Sequence, residues 1–322
     1  MRTLRRPTVS LPTLRDAAGK GYRAAERHRN AWEESGTTPS SFGSHWNEPD
    51  VRGALYAMHG RSCAYCQCAL PRNDRGDVEH FRPKAHYWWL AYRFENYFLS
   101  CSLCNRILKR EIFPLVAGTQ PLTYAQASQL ATEQRLLLDP VDDLIAGGCL
   151  RTLWDHDVCK VVVDTEDAVL SARATETIRF FKLNTDPALV KERIGVVTGA
   201  LDLLERIDNG DDQAREEVRR RASRFAPHGD ALRQMLADLA PHLLPDEEQE
   251  LRWWVDELVA DLALLDQLET NGLLVGEDVE RQRSELCWAL HVVWLDPPVT
   301  SRATIESWIG AALTNTIRAL DS

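Results

Sequence analysis

The chain has 322 residues, 44% hydrophobic and 27% charged, the balance of a soluble globular protein able to bury a substantial core as one large domain or two ordinary ones. No apolar run of about 18 residues exists to span a membrane, and the basic start MRTLRRPTVSLPTLRD lacks the apolar stretch of a signal peptide, so the expected location is the cytoplasm, away from any membrane. The net charge of −10 is unevenly placed: residues 1–110 hold 18 Lys and Arg against 10 Asp and Glu, whereas residues 111–322 hold 20 against 38. A basic end beside an acidic remainder suits a polyanion-binding part on an acidic scaffold, although two solvated surfaces would share that composition.

Helical stretches open the chain in LRDAAGKGYRAAERHRNAWEES and EPDVRGALYAMHG, joined by the Gly/Ser/Thr/Pro-rich GTTPSSFGSHWNEP. From Cys63 to Pro114 the pattern turns irregular, with a turn at LPRNDRGD, a short strand at DVEHF and a helix beginning near SCSLCNRILKR. The aromatic run HYWWLAYRF could stack on bases, but Trp88 and Trp89 fit a core or interface role better. Further on, LRTLWDHDVCKVVVDTEDAVLSARA alternates in places and suggests a hairpin. From about Thr175 the signals are helical, and Leu251, Val255, Leu258 and Leu262 recur at the spacing of a packed helix face.

Five of the eight cysteines, Cys63, Cys66, Cys68, Cys101 and Cys104, fall in one short stretch. In a reducing compartment they read as thiols or metal ligands. Cys149, Cys159 and Cys287 are scattered among apolar neighbours and read as buried small hydrophobes. Cys63-x2-Cys66 and Cys101-x2-Cys104 have the knuckle spacing at which two sulfur pairs meet one tetrahedral zinc. Four cysteine ligands leave no open position for water, so this zinc would be structural, stapling the segment between the pairs. Cys68 falls outside that set.

The stapled segment contains DVEHFRPK, where a carboxylate, Glu79, adjoins an imidazole, His80. A neutral histidine can take a proton from water near neutral pH, and carboxylate oxygen suits magnesium or manganese. Adjacent strand residues point to opposite faces, so both serve one site only if the strand kinks. Asn105 follows Cys104 directly, and Lys109 lies one turn further along the same helix face.

CAYC, DVEHFRPK and ENYFLSCSLCNRILKREIFPL together resemble the HNH (ββα-metal) endonucleases in their zinc-bearing form. The resemblance implies that His80 is the general base, that Asn105 binds the catalytic metal, Mg2+ or Mn2+, with Glu79 as the other ligand, and that Asn96 braces the loop. Glu stands where Asp is commoner, and Asn105 where His is. The opening residues, IFPL, LLLDPVDD and ATETIRFFKLNTDPALVKERI extend the similarity over about residues 1–200, to the longer PtuB-like nucleases of Septu and retron anti-phage systems. Those work with an SMC/ABC-like ATPase.

The expected fold is mainly α, with a small zinc-stapled α+β module of the ββα-metal type and a helical C-terminal region. The expected divisions are 1–120 for the N-terminal helices and nuclease module, 121–200 for an extension with a short hairpin and helices, and 201–322 for the helical remainder. The expected partner is nucleic acid, DNA in the first instance, with Arg82, Lys84, Arg106, Lys109 and Arg110 contacting phosphates without reading sequence. The alternative is a zinc-stapled adaptor for nucleic acid or protein without catalysis. It would have no use for His80 and Asn105.

Overall fold

Helical periodicity in the sequence becomes helix along most of the chain. The computed structural model describes residues 4–71, 75–145, 148–155 and 158–321, so residues 72–74 of the expected turn and 156–157 of the expected hairpin lie outside it. Among the described residues the fold is mostly helical, with two small antiparallel sheets of two strands each. Helices α1 (Pro12–Arg15), α2 (Lys20–Ser35) and α3 (Pro49–His59) come first. Strands β1 (Asp77–His80) and β2 (Tyr97–Ser100) pair with each other and lead into a π-helical segment, Leu103–Lys109. After α4 (Asp142–Ile145), strands β3 (Leu150–Asp155) and β4 (Val158–Val163) pair antiparallel, with Leu150 opposite Val163. Seven helices follow: α5 (Ala168–Phe180), α6 (Pro187–Asp208), α7 (Asp212–Arg221), α8 (Gly229–Leu239), α9 (Glu247–Thr270), α10 (Glu277–Leu295) and α11 (Arg302–Arg318). Among the described residues no helix is long and apolar enough to cross a membrane.

Two compact units form, each from separated stretches of chain. The first comprises Met1–Arg5, Arg61–Tyr87 and Phe98–Asp246; the second comprises Arg6–Gly60, Trp88–Tyr97 and Glu247–Ser322. In the second, α3 lies so close against α10 that a Cβ on Gly53 would come within 2.4 Å of the Trp288 side chain and 2.7 Å of the Glu285 carbonyl. Only glycine permits that approach. The α9 stripe Leu251, Val255, Leu258 and Leu262 is buried, as are Trp253 and Trp254, so the periodic apolar face is core.

In the first unit the hairpin rests on helices. Cys159 and Val161 of β4 are buried, and Cys159 joins an apolar cluster with Val197, Leu203, Val218, Leu232 and Met235. Asn184 extends the hairpin as a short third strand would, accepting from Val161 N at 2.8 Å and donating to Val161 O at 2.7 Å. The sequence alone runs the hairpin region on to Ala174, whereas α5 starts at Ala168. Asp167 is the reason: its carboxylate accepts from Val169 N and Leu170 N, a side-chain cap that starts the helix early.

Candidate functional site

The two Cys-x2-Cys pairs close on one point. After Cys63 the chain turns on Gln67, whose N–H bonds Cys63 O at 3.0 Å with a left-handed φ of 63°. Cys63 N returns to Cys68 O at 3.1 Å, and Ala64 N joins the turn to Leu99 O of β2 at 2.9 Å. The sulfurs of Cys63, Cys66, Cys101 and Cys104 lie within 4.8 Å of one another. A zinc ion about 2.3 Å from each of four sulfurs would hold them about 3.8 Å apart. Cys66 and Cys101 are separated by 3.8 Å, so the thiols fit a structural zinc. The thiols share their hydrogen bonds: Cys104 draws the Cys101 thiol down, while Cys101 pushes the Cys66 and Cys104 thiols up.

Strand β1 places Glu79 and His80 beside this cluster in sequence, and the π-helical segment places Asn105 and Lys109. The segment is wound by an i to i+5 bond from Arg110 N to Asn105 O at 2.7 Å, and Arg110 ends it with a φ of 48°. Asn105 is half-buried, and its backbone N–H donates to Cys101 O at 3.0 Å. His80 is buried.

Lys109, expected at a phosphate, is instead fully enclosed. Its ammonium stands 2.5 Å from the Glu79 carboxylate and donates to His80 O at 2.8 Å, with the side chains 0% and 2% exposed. Burial raises the Glu79 carboxyl to about 7 against the opposing pull of Lys109, while burial lowers the Lys109 ammonium against the pull of Glu79. One cation thus ties β1 to the helix that carries Asn105. The oxygen donors that Mg2+ or Mn2+ accepts are present in Asn105 and Glu79, and the Glu79 carboxylate already holds a positive charge.

The remaining basic residues divide by exposure. Arg82 is turned inward: its Nε donates to Glu133 at 2.7 Å, and Tyr87 Oη donates to the same carboxylate at 2.5 Å. The Arg82 guanidinium also lies over the Phe81 and Phe113 rings. Arg106, 71% exposed, pairs with Asp77, and Arg110 is exposed with its Nε on Arg106 O at 3.0 Å. Lys84 is half-buried. Asn96 is buried in the turn ahead of β2, its amide donating to Leu90 O at 3.4 Å.

Later segments buttress the first knuckle. Tyr65, between its two cysteines, stacks on Phe181 with centroids 4.1 Å apart. Gln67 O accepts from His228 N at 3.1 Å, and its amide donates to Asp230 at 2.9 Å. The DPVDD run is a structural turn: Asp143 gathers Arg173 at 2.8 Å, Arg135, and Asp139 N at 2.8 Å. Phe181 and Asp230 therefore support the knuckle, Glu133 holds Arg82 and Tyr87, and Asp143 holds its own turn. Only the LLLDPVDD and ATETIRFFKLN motifs offered a sequence signal for any of them.

No family model matches the chain, and no solved structure matches it. It is 30% identical over 111 residues to the Septu protein PtuB of Bacillus mycoides (strain KBAB4). The match covers 30% of this chain and 37% of that protein. The chain thus spans little more than a third of the curated relative's length.

Proposed function

We propose that the chain is a metal-dependent endonuclease of the HNH type that hydrolyses phosphodiester bonds in nucleic acid, with DNA as the expected substrate. The observation that carries this is the order β1, β2, helical segment, with His80 ending β1, Asn105 on the helical segment, and four thiols gathered within 4.8 Å around their ends. The similarity to the Septu protein PtuB supports a place in a Septu-type anti-phage system beside an SMC/ABC-like ATPase.

In this scheme His80 takes the proton of the attacking water, and the 3′ oxygen leaves, so products carry 5′ phosphates. Asn105 and Glu79 would hold Mg2+ or Mn2+, which when bound supplies stabilisation for the charge growing on the phosphate. Glu79 contributes by exchanging part of its contact with Lys109. Asn96 braces the loop, and Cys63, Cys66, Cys101 and Cys104 hold zinc as a closed staple. Arg106, Arg110 and Lys84 meet the phosphate backbone, while Arg82 and Lys109 hold the framework.

One observation favours a non-catalytic adaptor instead: the buried pair with Lys109 engages an expected metal-binding carboxylate. End-group analysis separates the two. The nuclease yields 5′-phosphorylated, 3′-hydroxyl fragments with Mg2+ or Mn2+; absence of cleavage in every condition, including added ATPase partner and nucleotide, favours the adaptor.

A further inference from the structure

In the second unit, α2 carries Lys20, Arg23 and Arg27 at positions that fall within about 60° of one another around the helix axis. Arg23 and Arg27, one turn apart, are both exposed. The carboxylate between them, Glu26, pairs with Arg29, which also reaches Glu33 at 3.7 Å. Lys20 pairs with Glu48 at 3.0 Å. Arg23 and Arg27 therefore form no ion pair among the described residues, and the helix spends no carboxylate on them.

The linker SSFGSHWN, residues 40–47, lays half-buried aromatic rings beside this face. Buried Tyr92 is their base: its hydroxyl donates to Gly43 O at 3.0 Å, and the Trp46 ring stacks on it at 5.9 Å. His45 and His28 meet the same ring at 5.7 and 5.8 Å, and Phe42 meets His28 edge-on at 5.2 Å. The Lys20–Glu48 pair ties linker to helix, since Glu48 N donates to His45 O at 3.4 Å. Burial lowers the His28 imidazole, and Arg27 lowers it further. Burial also lowers His45, with Glu48 pulling it up and Lys20, Arg27 and Arg23 pushing it down. At neutral pH both imidazoles are therefore uncharged rings within the field of these cations. Cations that track phosphates beside rings that stack on bases suit a single strand, because a duplex hides its base faces.

We propose that Arg23 and Arg27, with His45 and Trp46, form a binding surface for single-stranded nucleic acid in the second unit. This rests on the nuclease reading and adds to it a non-cleaving contact that favours strands with unpaired bases. The arginines supply affinity that falls with salt, and the rings supply affinity that does not. Neither reads sequence, because phosphates are uniform and every base has a face to stack.

The experiment is a fluorescence-anisotropy titration of the full-length, zinc-loaded protein over a salt series without divalent ions. The probes are a labelled single-stranded DNA and a strand of the same length made of abasic sites, which keeps the phosphates and lacks the bases. Arg23→Ala/Arg27→Ala is expected to lower the slope of log K against log salt by about 1.4 on both probes, about 0.7 for each contact, and to weaken low-salt binding about tenfold or more. Arg23→Lys/Arg27→Lys, which keeps the charges, is expected to restore the slope. Trp46→Ala is expected to weaken binding of the base-bearing strand at least about fivefold at unchanged slope and to leave the abasic strand at its parental affinity. Should Trp46→Ala fail to fold, His45→Ala reads the same contrast. Equal loss on the two probes would overturn the stacking and with it the choice of single strands. Parental slope and affinity in Arg23→Glu/Arg27→Glu, with binding reduced in Arg106→Ala/Arg110→Ala, would overturn the surface and leave the nuclease reading standing. Failure of the parent to bind the single strand would also overturn the surface, and plasmid cleavage by the same preparation with Mg2+ or Mn2+ decides the nuclease reading separately.

Discussion

Replacing Lys109 with methionine removes an ammonium that is 0% exposed and leaves the 2% exposed Glu79 carboxylate without the cation that stood 2.5 Å away. It also takes away the donor to His80 O at 2.8 Å. Removing one partner of a buried pair costs about 3–5 kcal/mol, against about 0–1 kcal/mol for a surface pair, so a large shift in denaturant midpoint is expected. The cost should depend on pH. Glu79 is raised from 4.5 to about 7 in the fold, so its contribution is full below 4.5 and is lost as pH rises through 7. In Lys109→Met the restraining charge is gone, the folded value climbs further, and the penalty is smaller near about pH 5 than near about pH 8. Denaturant unfolding of the zinc-loaded protein at the two pH values measures this, and Glu79→Gln/Lys109→Met closes a double-mutant cycle. A penalty under about 1 kcal/mol, or one that shrinks as pH rises, would refute the inward role of Lys109.

Cys104→Ser is expected to lose zinc and unfold the β1–β2 element, since a structural zinc supplies folding free energy outright. Cys159→Ser, in the apolar cluster of the first unit, should keep its zinc; metal analysis and circular dichroism read both, and parental zinc affinity in Cys104→Ser would count against the staple. Arg82→Ala leaves the 2% exposed Glu133 side chain without its guanidinium, so it should cost about 3–5 kcal/mol of stability while leaving the salt dependence of DNA binding unchanged. Arg106→Ala should do the reverse, lowering the salt slope by about 0.7 to 0.9 with little effect on stability; equal behaviour of the two variants would contradict their assignment to framework and surface.

The cysteine cluster was legible because ligand spacing is local: two residues between thiols is all a knuckle needs, and two knuckles imply one ion. The long helices α6, α9, α10 and α11 were legible because their apolar residues recur at helical spacing. Helix α7 was not, because DQAREEVRRR buries only Ala214 and Val218, too narrow a face to stand out among charges. The direction of Lys109 was equally hidden. Sequence spacing puts it near Asn105, but whether its charge meets a phosphate or a carboxylate depends on Glu79, thirty residues earlier, and on π-helical winding. Arg82 followed the same pattern, since its counter-charge, Glu133, lies 51 residues away. Local chemistry is written in order along the chain; the pairing of distant charges is written only in the fold.

The nuclease reading stands or falls with His80 as its general base. Its most direct test is cleavage of plasmid DNA with Mg2+ or Mn2+ by the parent and by His80→Ala, each first shown to hold zinc. Loss of rate by about 10²–10⁴ in the variant, with DNA affinity and zinc retained, is the expected result. Equal cleavage by both proteins, with zinc in place, would contradict it.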